Sequence, residues 1–241
     1  METDEHSCAT RPGTGAIWRE RREMGKSEEK RAGEIIGVLE KEYPDARTAL
    51  HFTNPLELLV ATVLSAQCTD ERVNKGTVGL FRKYRSAEDY ARADQAELEE
   101  DVRPTGFYRN KAKAVKGLST DLMEKFNGRV PADLDDLVSL RGVGRKTANL
   151  VLGEAFGIPG IVADTHVIRL SQRIGLTENS DPVKVEFDLM EIVPKAEWTR
   201  FSNFLTLHGR AVCTARKPRH EECKIVDFCD EGIRWKKGRR A

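Results

Sequence analysis

The stretch LDDLVSLRGVGRKTANLVLGEAF, residues 134–156, decides which fold this chain can adopt. Its first part carries a short apolar stripe at helical spacing, formed by Leu134, Leu137 and Leu140. Its last part carries a second stripe at positions i, i+3, i+4 and i+7, formed by Ala148, Val151, Leu152 and Ala155. Between the stripes lies Gly142-Val143-Gly144. The pattern therefore predicts two helices joined by a tight glycine turn.

The turn between the two stripes suits a ligand as well as packing. Gly142 and Gly144 permit positive φ angles and a close backbone approach, while Val143 can fill the gap between the helices. The peptide N–H groups at the start of the second helix, beside Arg145, then face outward and can bind a phosphate oxygen. Such contacts position DNA without reading its sequence. This helix-hairpin-helix pattern predicts DNA contacts at residues 142–145, although an ordinary αα-turn would also fit the glycines alone.

The remainder of the chain is also patterned for helices, which predicts an all-α fold. Asn54-Pro55 and Asp181-Pro182 each combine an N-cap residue with proline at the first helical position. Helical spacing predicts further helices from Asp70 onward and over residues 111–126, 134–140, 145–156, 165–173, 182–193 and 197–213. Residues 1–28 are polar and rich in Arg and Glu, so they predict a disordered or weakly helical tail, and residues 233–241 form a basic tail.

Composition and charge describe an ordinary globular protein rather than a membrane or secreted one. Hydrophobic residues make up 39% of the 241 residues and charged residues 33%, with a net charge of +1. The most apolar stretch, residues 55–66, already contains Glu57 and is shorter than the roughly 20 residues that cross a bilayer. The N-terminal sequence lacks the apolar core of a secretory signal. We therefore expect a cytoplasmic protein.

Three of the five cysteines lie close together near the C-terminus. Cys213, Cys223 and Cys229 fall within 17 residues, whereas Cys8 and Cys68 are isolated. An odd number of cysteines in a cytosolic chain argues against a disulfide framework. Clustering of this kind indicates a metal centre instead.

Several separate motifs resemble one family when they are taken together and in order. They are LLVATVLSAQCTDERVN (58–74), GFYRNKA (106–112), LRGVGRKTAN (140–149), VADTHVIRL (162–170), LHGR (207–210) and the C-terminal cysteines. Over residues 30–232 the chain resembles the endonuclease III family of helix-hairpin-helix DNA glycosylases. The resemblance implies one unit over residues 29–232, built of two helical lobes with a DNA-binding cleft between them. A central lobe would span about residues 54–160, and the N-terminal helix and C-terminal half, with a cluster loop at 213–229, would form the other.

The resemblance also implies a bifunctional DNA glycosylase with AP lyase activity, acting on oxidised pyrimidines. The lysine matching Lys146 is the family's nucleophile, and the aspartate matching Asp164 has a catalytic part. A neutral amine can attack C1′ and form a Schiff base, after which the 3′ phosphate is eliminated. The first turn of a helix disfavours the ammonium form of Lys146, and partial burial would act in the same direction. Read locally, Asp164 is a helix N-cap, a role compatible with stabilising positive charge on the sugar or with helping to activate the lysine or a water.

A damaged base must leave the helical stack before its sugar can be attacked, and other side chains then fill the space. Gln67 matches the family glutamine that enters the stack, and Phe107 occupies the position of an apolar wedge. The alternatives are that Gln67 caps a helix end and that Phe107 belongs to the core. Arg216, Lys217 and Arg219 are expected to meet the DNA backbone. Three more residues fall near the expected pocket: Asp70, Tyr108 and His166.

The C-terminal end departs from the family pattern at one ligand. The family's C-x6-C-x2-C-x5-C series binds a [4Fe-4S] cluster through four thiolates, and here the series reads Cys213, His220, Cys223 and Cys229. His220 could ligate iron, as imidazole does in Rieske centres, or three cysteines could hold a cluster with a labile or missing iron. The site could also be empty or bind zinc. We expect a [4Fe-4S] cluster with His220 as its fourth ligand, supporting the loop that carries Arg216 and Lys217.

Two other functions remain open from the sequence. A glycosylase of the same fold could prefer a mismatched adenine or an oxidised purine, although adenine glycosylases usually lack a lysine at the position of Lys146. A non-catalytic iron–sulfur module could keep the hairpin and the cluster, although Lys146 and Asp164 at matching spacing count against it. The expected partner is double-stranded DNA containing damaged bases or abasic sites, bound by a monomer at the bacterial nucleoid.

Overall fold

The structure is a computed structural model that describes the backbone of residues 14–239 and the side chains of residues 27–239. Across this range the chain is helical and contains no β-strand, which confirms the all-α prediction. The helices are α1 (Thr14–Glu42), α2 (Pro55–Leu64), α3 (Asp70–Lys83), α4 (Ala87–Arg92), α5 (Gln95–Val102), α6 (Tyr108–Phe126), α7 (Leu134–Val138), α8 (Arg145–Phe156), α9 (Thr165–Ile174), α10 (Pro182–Ile192), α11 (Trp198–Ala211) and α12 (Asp230–Gly238). No helix in this range combines the length and apolarity that crossing a bilayer requires.

Side-chain caps fix where several of these helices begin. Asn54 accepts a hydrogen bond from the Glu57 N–H, and Pro55 follows at the first position of α2. Asp181 caps α10 in the same way, again with proline at the first position. Both caps confirm the sequence prediction, because each side chain accepts from N–H groups that have no partner within the helix.

Two separate hydrophobic cores divide the described chain into two lobes. The first core is built from residues 50–152, among them the fully buried Leu58, Leu98 and Leu118. The second combines one face of α1, including Leu39, with residues 161–229, including Phe201. Because α1 packs with the C-terminal half, the second lobe is built from both ends of the described chain and the first lobe from the segment between them. Two helical lobes are therefore present, as the sequence resemblance implied.

The segments expected to be tails are helical where the structure describes them. Helix α1 begins at Thr14 and α12 covers Asp230–Gly238, so residues 14–28 and 233–238 are helical, and of the two alternatives for residues 14–28 the helical one is found. Residues 14–28 contain no proline and are rich in Arg and Glu, which favour helix without needing an apolar stripe. Residues 1–13 and 240–241 lie outside the described residues.

Two short helices in the first lobe were not predicted. Helix α4 has six residues and α5 has eight, too few for a repeating apolar stripe. Local capping explains them instead: Ser86 and Asp89 form a reciprocal capping box, and Asp94 caps α5. Both helices pack against α6, which in turn leads from the exposed residue Phe107 to the centre of the lobe.

Candidate active site and DNA-facing surface

A cavity of about 360 Å³ opens between the two lobes. Its first-lobe wall includes Gln67 and Lys146, and its second-lobe wall includes Asp164 and Thr206. Lys146 comes from the first turn of α8 and Asp164 from the residue that begins α9. The fold therefore brings the two sequence-predicted catalytic residues to one cavity, although they were predicted from separate motifs.

Lys146 is the second residue of α8, and its side chain is exposed to the cavity. It makes no hydrogen bond or ion pair with any described side chain. The partial burial expected from the sequence is therefore not seen, because the mouth of the cavity leaves this face of α8 open. The residue before α8, Gly144, is the N-cap of that helix and has no side chain to accept hydrogen bonds from its first N–H groups. The positive end of α8 thus points to open space beside the amine.

Asp164 begins α9 as its N-cap, as its position before THVIRL predicted. Its Oδ1 accepts hydrogen bonds from the N–H groups of His166 at 2.8 Å and Val167 at 2.7 Å. Its Oδ2 accepts a hydrogen bond from the Thr206 hydroxyl at 3.3 Å, across from α11. One oxygen is thus held by the helix and the other lies at the cavity wall. This arrangement fixes the position of the carboxylate, because every one of these partners donates a hydrogen bond to it.

In the hairpin between α7 and α8, Val143 is buried as expected, but only one of the two glycines has a positive φ angle. Val143 is buried at 5% exposure and fills the space between the helices. Gly142 has φ +79°, which other residues rarely adopt, whereas Gly144 has φ −94° and ψ 170°, an extended conformation open to any residue. The freedom of Gly144 is therefore not used for backbone geometry. What a glycine contributes there is an N-cap without a side chain.

Arg145 was expected to contact DNA, and its side chain has an intramolecular partner instead. Its Nε lies 2.8 Å and 3.0 Å from the two carboxylate oxygens of Glu186 on α10, a residue that is buried. The guanidinium also lies over the ring of Phe187. The Glu186 carboxylate raises the pKa of Arg145 through this hydrogen-bonded pairing. Arg145 therefore links α8 to α10 across the lobes, and its contact with DNA stays a prediction.

Gln67 and Phe107 share an unusual backbone conformation and border one groove. Gln67 has φ 52° and Phe107 has φ 48°, and the one other non-glycine residue with positive φ in the described range is Asn127, which ends α6. Such residues carry strain that packed surroundings must hold, and they concentrate at functional sites. Phe107 is 64% exposed, which overturns the alternative that it belongs to the core. The groove they line adjoins the cavity, because both are bordered by Gln67 and Thr147.

The cavity wall includes Asp70, which was expected near the pocket, and also Arg210 and Glu154, which were not. Asp70 was expected near the pocket and lies on its wall, where it pairs with Arg210 of α11 at 2.7 Å. Glu154 accepts hydrogen bonds from the Thr48 N–H at 3.1 Å and the Asn203 side chain at 2.6 Å. Arg210 belongs to the LHGR motif and Glu154 to no motif, but the partners of both are more than 45 residues away, so neighbouring residues do not indicate these contacts. Tyr108 and His166, also expected near the pocket, are not part of its wall.

The C-terminal cysteines converge as the sequence predicted. Cys213, Cys223 and Cys229 are free thiols that line one small cavity, together with His220. Burial raises the pKa of Cys223 to about 11 and also raises that of Cys229. Three thiols and an imidazole at one cavity form a donor set that can hold an iron–sulfur cluster.

Two histidines, His208 and His220, line this small cavity. His220 is mostly buried, its ring stacks on Trp235, and its Nε2 lies 3.5 Å from a carboxylate oxygen of Glu231. His208, from the LHGR motif, is 1% exposed, and its Nε2 lies 3.4 Å from the Cys223 sulfur. Burial lowers the pKa of His208 to about 4. His208 lies five residues before the first cysteine, outside the ligand spacing, so the sequence does not indicate its place at this cavity.

The loop between α11 and the cluster cysteines carries exposed positive charge. Arg216 and Lys217 are both exposed at its tip. Arg219, in contrast, pairs with Glu222 at 3.0 Å and donates a hydrogen bond to the Ala211 carbonyl. Arg173 ties the base of the loop to α9, donating to the carbonyl oxygens of Thr214 and Ala215 at 2.9 Å each. The loop is thus anchored at its base and presents two cations at its tip.

These features define a class of protein: a two-lobed helical protein with a hairpin, an interlobe lysine and aspartate, and a cysteine-lined loop. The HhH-GPD superfamily model of base excision DNA repair proteins matches residues 60–195. A second model, the iron-sulfur binding domain of endonuclease III, matches residues 213–229. The chain thus carries an iron–sulfur binding domain, and the hairpin and interlobe residues lie within the first match.

The chain belongs to the endonuclease III family. It is 51% identical over 204 residues to endonuclease III of Synechocystis sp., covering 84% of this chain and 93% of that relative. Endonuclease III of Bacillus subtilis is 48% identical over 198 residues, covering 81% and 90%. A solved structure of a trapped endonuclease III–DNA covalent intermediate matches with a TM-score of 0.81 and 44% identity, covering 86% of this chain and 98% of that one. The chain is therefore an enzyme of base excision repair, a DNA glycosylase with AP lyase activity.

Proposed function

We propose that the enzyme excises oxidised pyrimidines from double-stranded DNA and then cleaves the strand on the 3′ side of the abasic site. One observation carries the proposal: Lys146 and Asp164, separated by 18 residues in sequence, line the same interlobe cavity. At about 360 Å³ the cavity is within the range of small-molecule sites, and so has room for one extruded nucleotide. The cytoplasm, where bacterial DNA lies, is the compartment in which we expect it to act.

In the proposed reaction, Lys146 forms a transient bond with the sugar. Its neutral amine attacks C1′ of the extruded nucleotide, the C1′–N glycosidic bond breaks, and the base leaves with the bonding electrons and takes up a proton. Loss of a proton from nitrogen and opening of the sugar ring give a protonated imine, which acidifies C2′. Removal of a C2′ proton then expels the 3′ phosphate by β-elimination. Water finally hydrolyses the imine and returns the free amine.

Asp164 is proposed to stabilise the positive charge that develops on the sugar. Its Oδ1 is engaged by the first N–H groups of α9, so the carboxylate cannot turn away from the cavity. Its Oδ2 has one contact, with Thr206, and remains able to face C1′. A fixed anion at this position stabilises the transition state without having to reorganise during the reaction.

Two surfaces are proposed to hold the DNA on either side of the cavity. The uncapped first N–H groups of α8 would bind a phosphate oxygen, with Gly142 and Val143 shaping the turn that presents them. Arg216 and Lys217 would meet the backbone from the second lobe. Gln67 and Phe107, which border the groove beside the cavity, would enter the space left by the extruded base.

The catalytic assignment is tested by removing the amine of Lys146 and, as a control, the amine of a second exposed lysine. Lys146→Ala is expected to lower strand cleavage at an abasic site by on the order of 10³-fold or more, and to abolish covalent trapping by borohydride. Lys184→Ala is the control, because Lys184 is also an exposed lysine in the first turn of a helix but does not line the cavity. Full cleavage by folded Lys146→Ala, or equal losses in both variants, would contradict the assignment.

The base preference is tested with duplexes that each carry one lesion. We expect thymine glycol and related ring-saturated pyrimidines to be released fastest. Duplexes with 8-oxoguanine or a mismatched adenine measure the competing preferences. A panel in which purines alone are released would overturn the proposed substrate while leaving the role of Lys146 intact.

We also propose that His220 completes the ligand set of a [4Fe-4S] cluster with Cys213, Cys223 and Cys229. Support comes from the family's four-ligand spacing and from the ring's position at the same cavity as the three thiols. The Nε2 atom faces Glu231, so a carboxylate orients the ring and leaves Nδ1 as the nitrogen available to iron. When bound, the cluster supplies a rigid cross-link that ties the loop to α9 and α12.

Spectroscopy distinguishes the possible ligands. Reduced protein grown on ¹⁵N-histidine should show a nitrogen coupling to the cluster in pulsed electron paramagnetic resonance, and His220→Ala should remove it. His220→Cys should keep the iron content and lose the coupling, whereas His51→Ala, an exposed histidine in the other lobe, should change neither. A coupling that survives in His220→Ala would point to His208 and contradict the proposal, as would zinc in place of iron.

A further inference from the structure

Lys111 is a buried lysine that the proposed chemistry does not use. Its side chain is 5% exposed, and no carboxylate pairs with it among the described residues. Burial lowers its pKa, as expected for an ammonium removed from water. A buried charge without a counter-ion is costly, so its retention calls for a specific contact. That contact is with the backbone: Nζ donates a hydrogen bond to the Thr105 carbonyl at 2.7 Å.

The carbonyl that Lys111 holds belongs to the turn just before Phe107. This short 3₁₀ turn, Arg103–Thr105, is followed by Gly106 at φ 71° and Phe107 at φ 48°. The Lys111 N–H also donates to the Phe107 carbonyl at 3.1 Å. Lys111 therefore binds the turn before Phe107 through its side chain and the carbonyl of Phe107 itself through its backbone.

A second cation holds the neighbouring carbonyl of the same turn. The Arg72 guanidinium, from α3, donates to the Pro104 carbonyl at 2.7 Å. Two consecutive carbonyls are thus bound by positive groups from two different helices. Their combined effect is to hold Phe107 in a left-handed conformation that costs on the order of 1–2 kcal/mol and that an isolated loop would leave.

Lys111 also lines the groove that Gln67 and Phe107 border. We propose that Lys111 is a positioning residue for base extrusion: with Arg72, it presets the turn so that Phe107 is presented as a wedge before DNA arrives. The inference rests on the proposed function of Phe107. It predicts a selective defect, because a preset wedge matters for unstacking a base and not for the reaction of an amine with an abasic sugar.

The test compares two substrates under single-turnover conditions. Lys111→Met keeps the length of the side chain and removes its donor. We expect it to slow release of thymine glycol from a duplex by on the order of 10-fold to 100-fold, as misplacement of a positioning group does. Cleavage of a preformed abasic site should change by no more than about twofold, since no base has to be unstacked. Fluorescence of 2-aminopurine beside the lesion should report slower unstacking.

Lys116→Met is the matched control. Lys116 lies on the same helix and also donates to a backbone carbonyl, that of Ala93 at 2.6 Å, but it does not line the groove. A purely structural role for such bonds predicts equal effects from both variants, and that result would overturn the proposal. So would an equal loss on both substrates. Arg72→Met, at an exposed residue, provides a second variant should Lys111→Met fail to fold, and it should show the same selective defect.

Phe107→Ala separates this inference from the function on which it rests. If Phe107→Ala releases thymine glycol at the normal rate, the wedge assignment is wrong and the positioning role falls with it. If Phe107→Ala is slow while both Lys111→Met and Arg72→Met are normal, the wedge stands and the positioning role is wrong.

Discussion

The two helices that begin at the interlobe cavity start in opposite ways. Helix α8 starts after Gly144, which offers no side chain to its first N–H groups. Helix α9 starts at Asp164, whose carboxylate accepts from two of them. A capped start is normally the more stable, and substituting Asp by Gly at an N-cap costs a few tenths of a kcal/mol. The fold therefore places one uncapped and one acidic helix start on opposite lobes of the same site.

The difference shows how the same structural element can serve groups of opposite charge. The uncapped start of α8 presents partial positive charge, which suits a DNA phosphate. The capped start of α9 holds a carboxylate in a fixed position, which suits a sugar bearing positive charge. We therefore expect that adding an acidic cap to α8, or removing the acid from the cap of α9, lowers activity or DNA binding while the protein still folds.

Among changes to the two helix starts, the largest effect is expected from removing the charge at α9 while keeping its cap. Asp164→Asn retains an oxygen that can accept from the His166 and Val167 N–H groups, so stability should change little. Base release should fall by on the order of 10²-fold, because a neutral amide stabilises a developing cation poorly. Single-turnover glycosylase assays and urea unfolding measure the two quantities separately.

Asp164→Ala completes that test by removing both roles. It should match Asp164→Asn in activity and in addition lose about 0.5–2 kcal/mol of unfolding free energy, the usual value of an N-cap. Should Asp164→Asn keep full activity while Asp164→Ala loses it, the residue would be a cap alone, and its proposed catalytic part would be refuted.

A smaller effect is expected from giving α8 the cap that it lacks. A Cβ at Gly144 would meet no atom within 4 Å, and its φ of −94° suits any residue, so Gly144→Asp should fold and gain a few tenths of a kcal/mol. Its carboxylate would occupy the phosphate position, and we expect DNA affinity to fall about tenfold, with a shallower dependence on salt. Fluorescence anisotropy at several salt concentrations measures this.

Gly144→Ala is the control for that variant, because it adds a side chain without charge or acceptor. Its affinity should stay within about twofold of the parent. Equal weakening in the two variants would mean that bulk, rather than the anion, excludes the DNA, and the comparison between the helix starts would lose its electrostatic basis.

The smallest effect concerns the other glycine of the hairpin. Gly142 has φ +79°, and a Cβ there would sit 3.5 Å from that of Ala114, an ordinary contact. Gly142→Ala should therefore lose about 1–2 kcal/mol of unfolding free energy from backbone strain alone. Thermal or urea unfolding measures the loss, and unchanged stability would show that the turn relaxes without positive φ.

Features that depend on neighbouring residues could be predicted from the sequence. Helix α8 occupies residues 145–156 as predicted, because its apolar stripe and its flanking glycines act locally. The cap at Asp164 and the proline starts at residues 55 and 182 were predicted for the same reason. The plug at Val143 also follows from its immediate neighbours.

Features that depend on distant residues could not be predicted. Arg145 looked like a DNA contact in sequence, and its partner Glu186 lies 41 residues away on another lobe. The sequence also gives no sign that Lys111 is buried or that it binds the Thr105 carbonyl. The left-handed conformation of Phe107 has no local signal beyond the preceding glycine.

The most direct test of this account is to find which atom joins the protein to DNA. The enzyme is trapped with borohydride on a duplex with one abasic site, digested after acidic residues and analysed by mass spectrometry. Residues 137–154 then form one peptide whose single lysine is Lys146. The account predicts that the nucleotide adduct lies on this peptide and on that lysine. An adduct on any other lysine, or on the N-terminal amine, would contradict it.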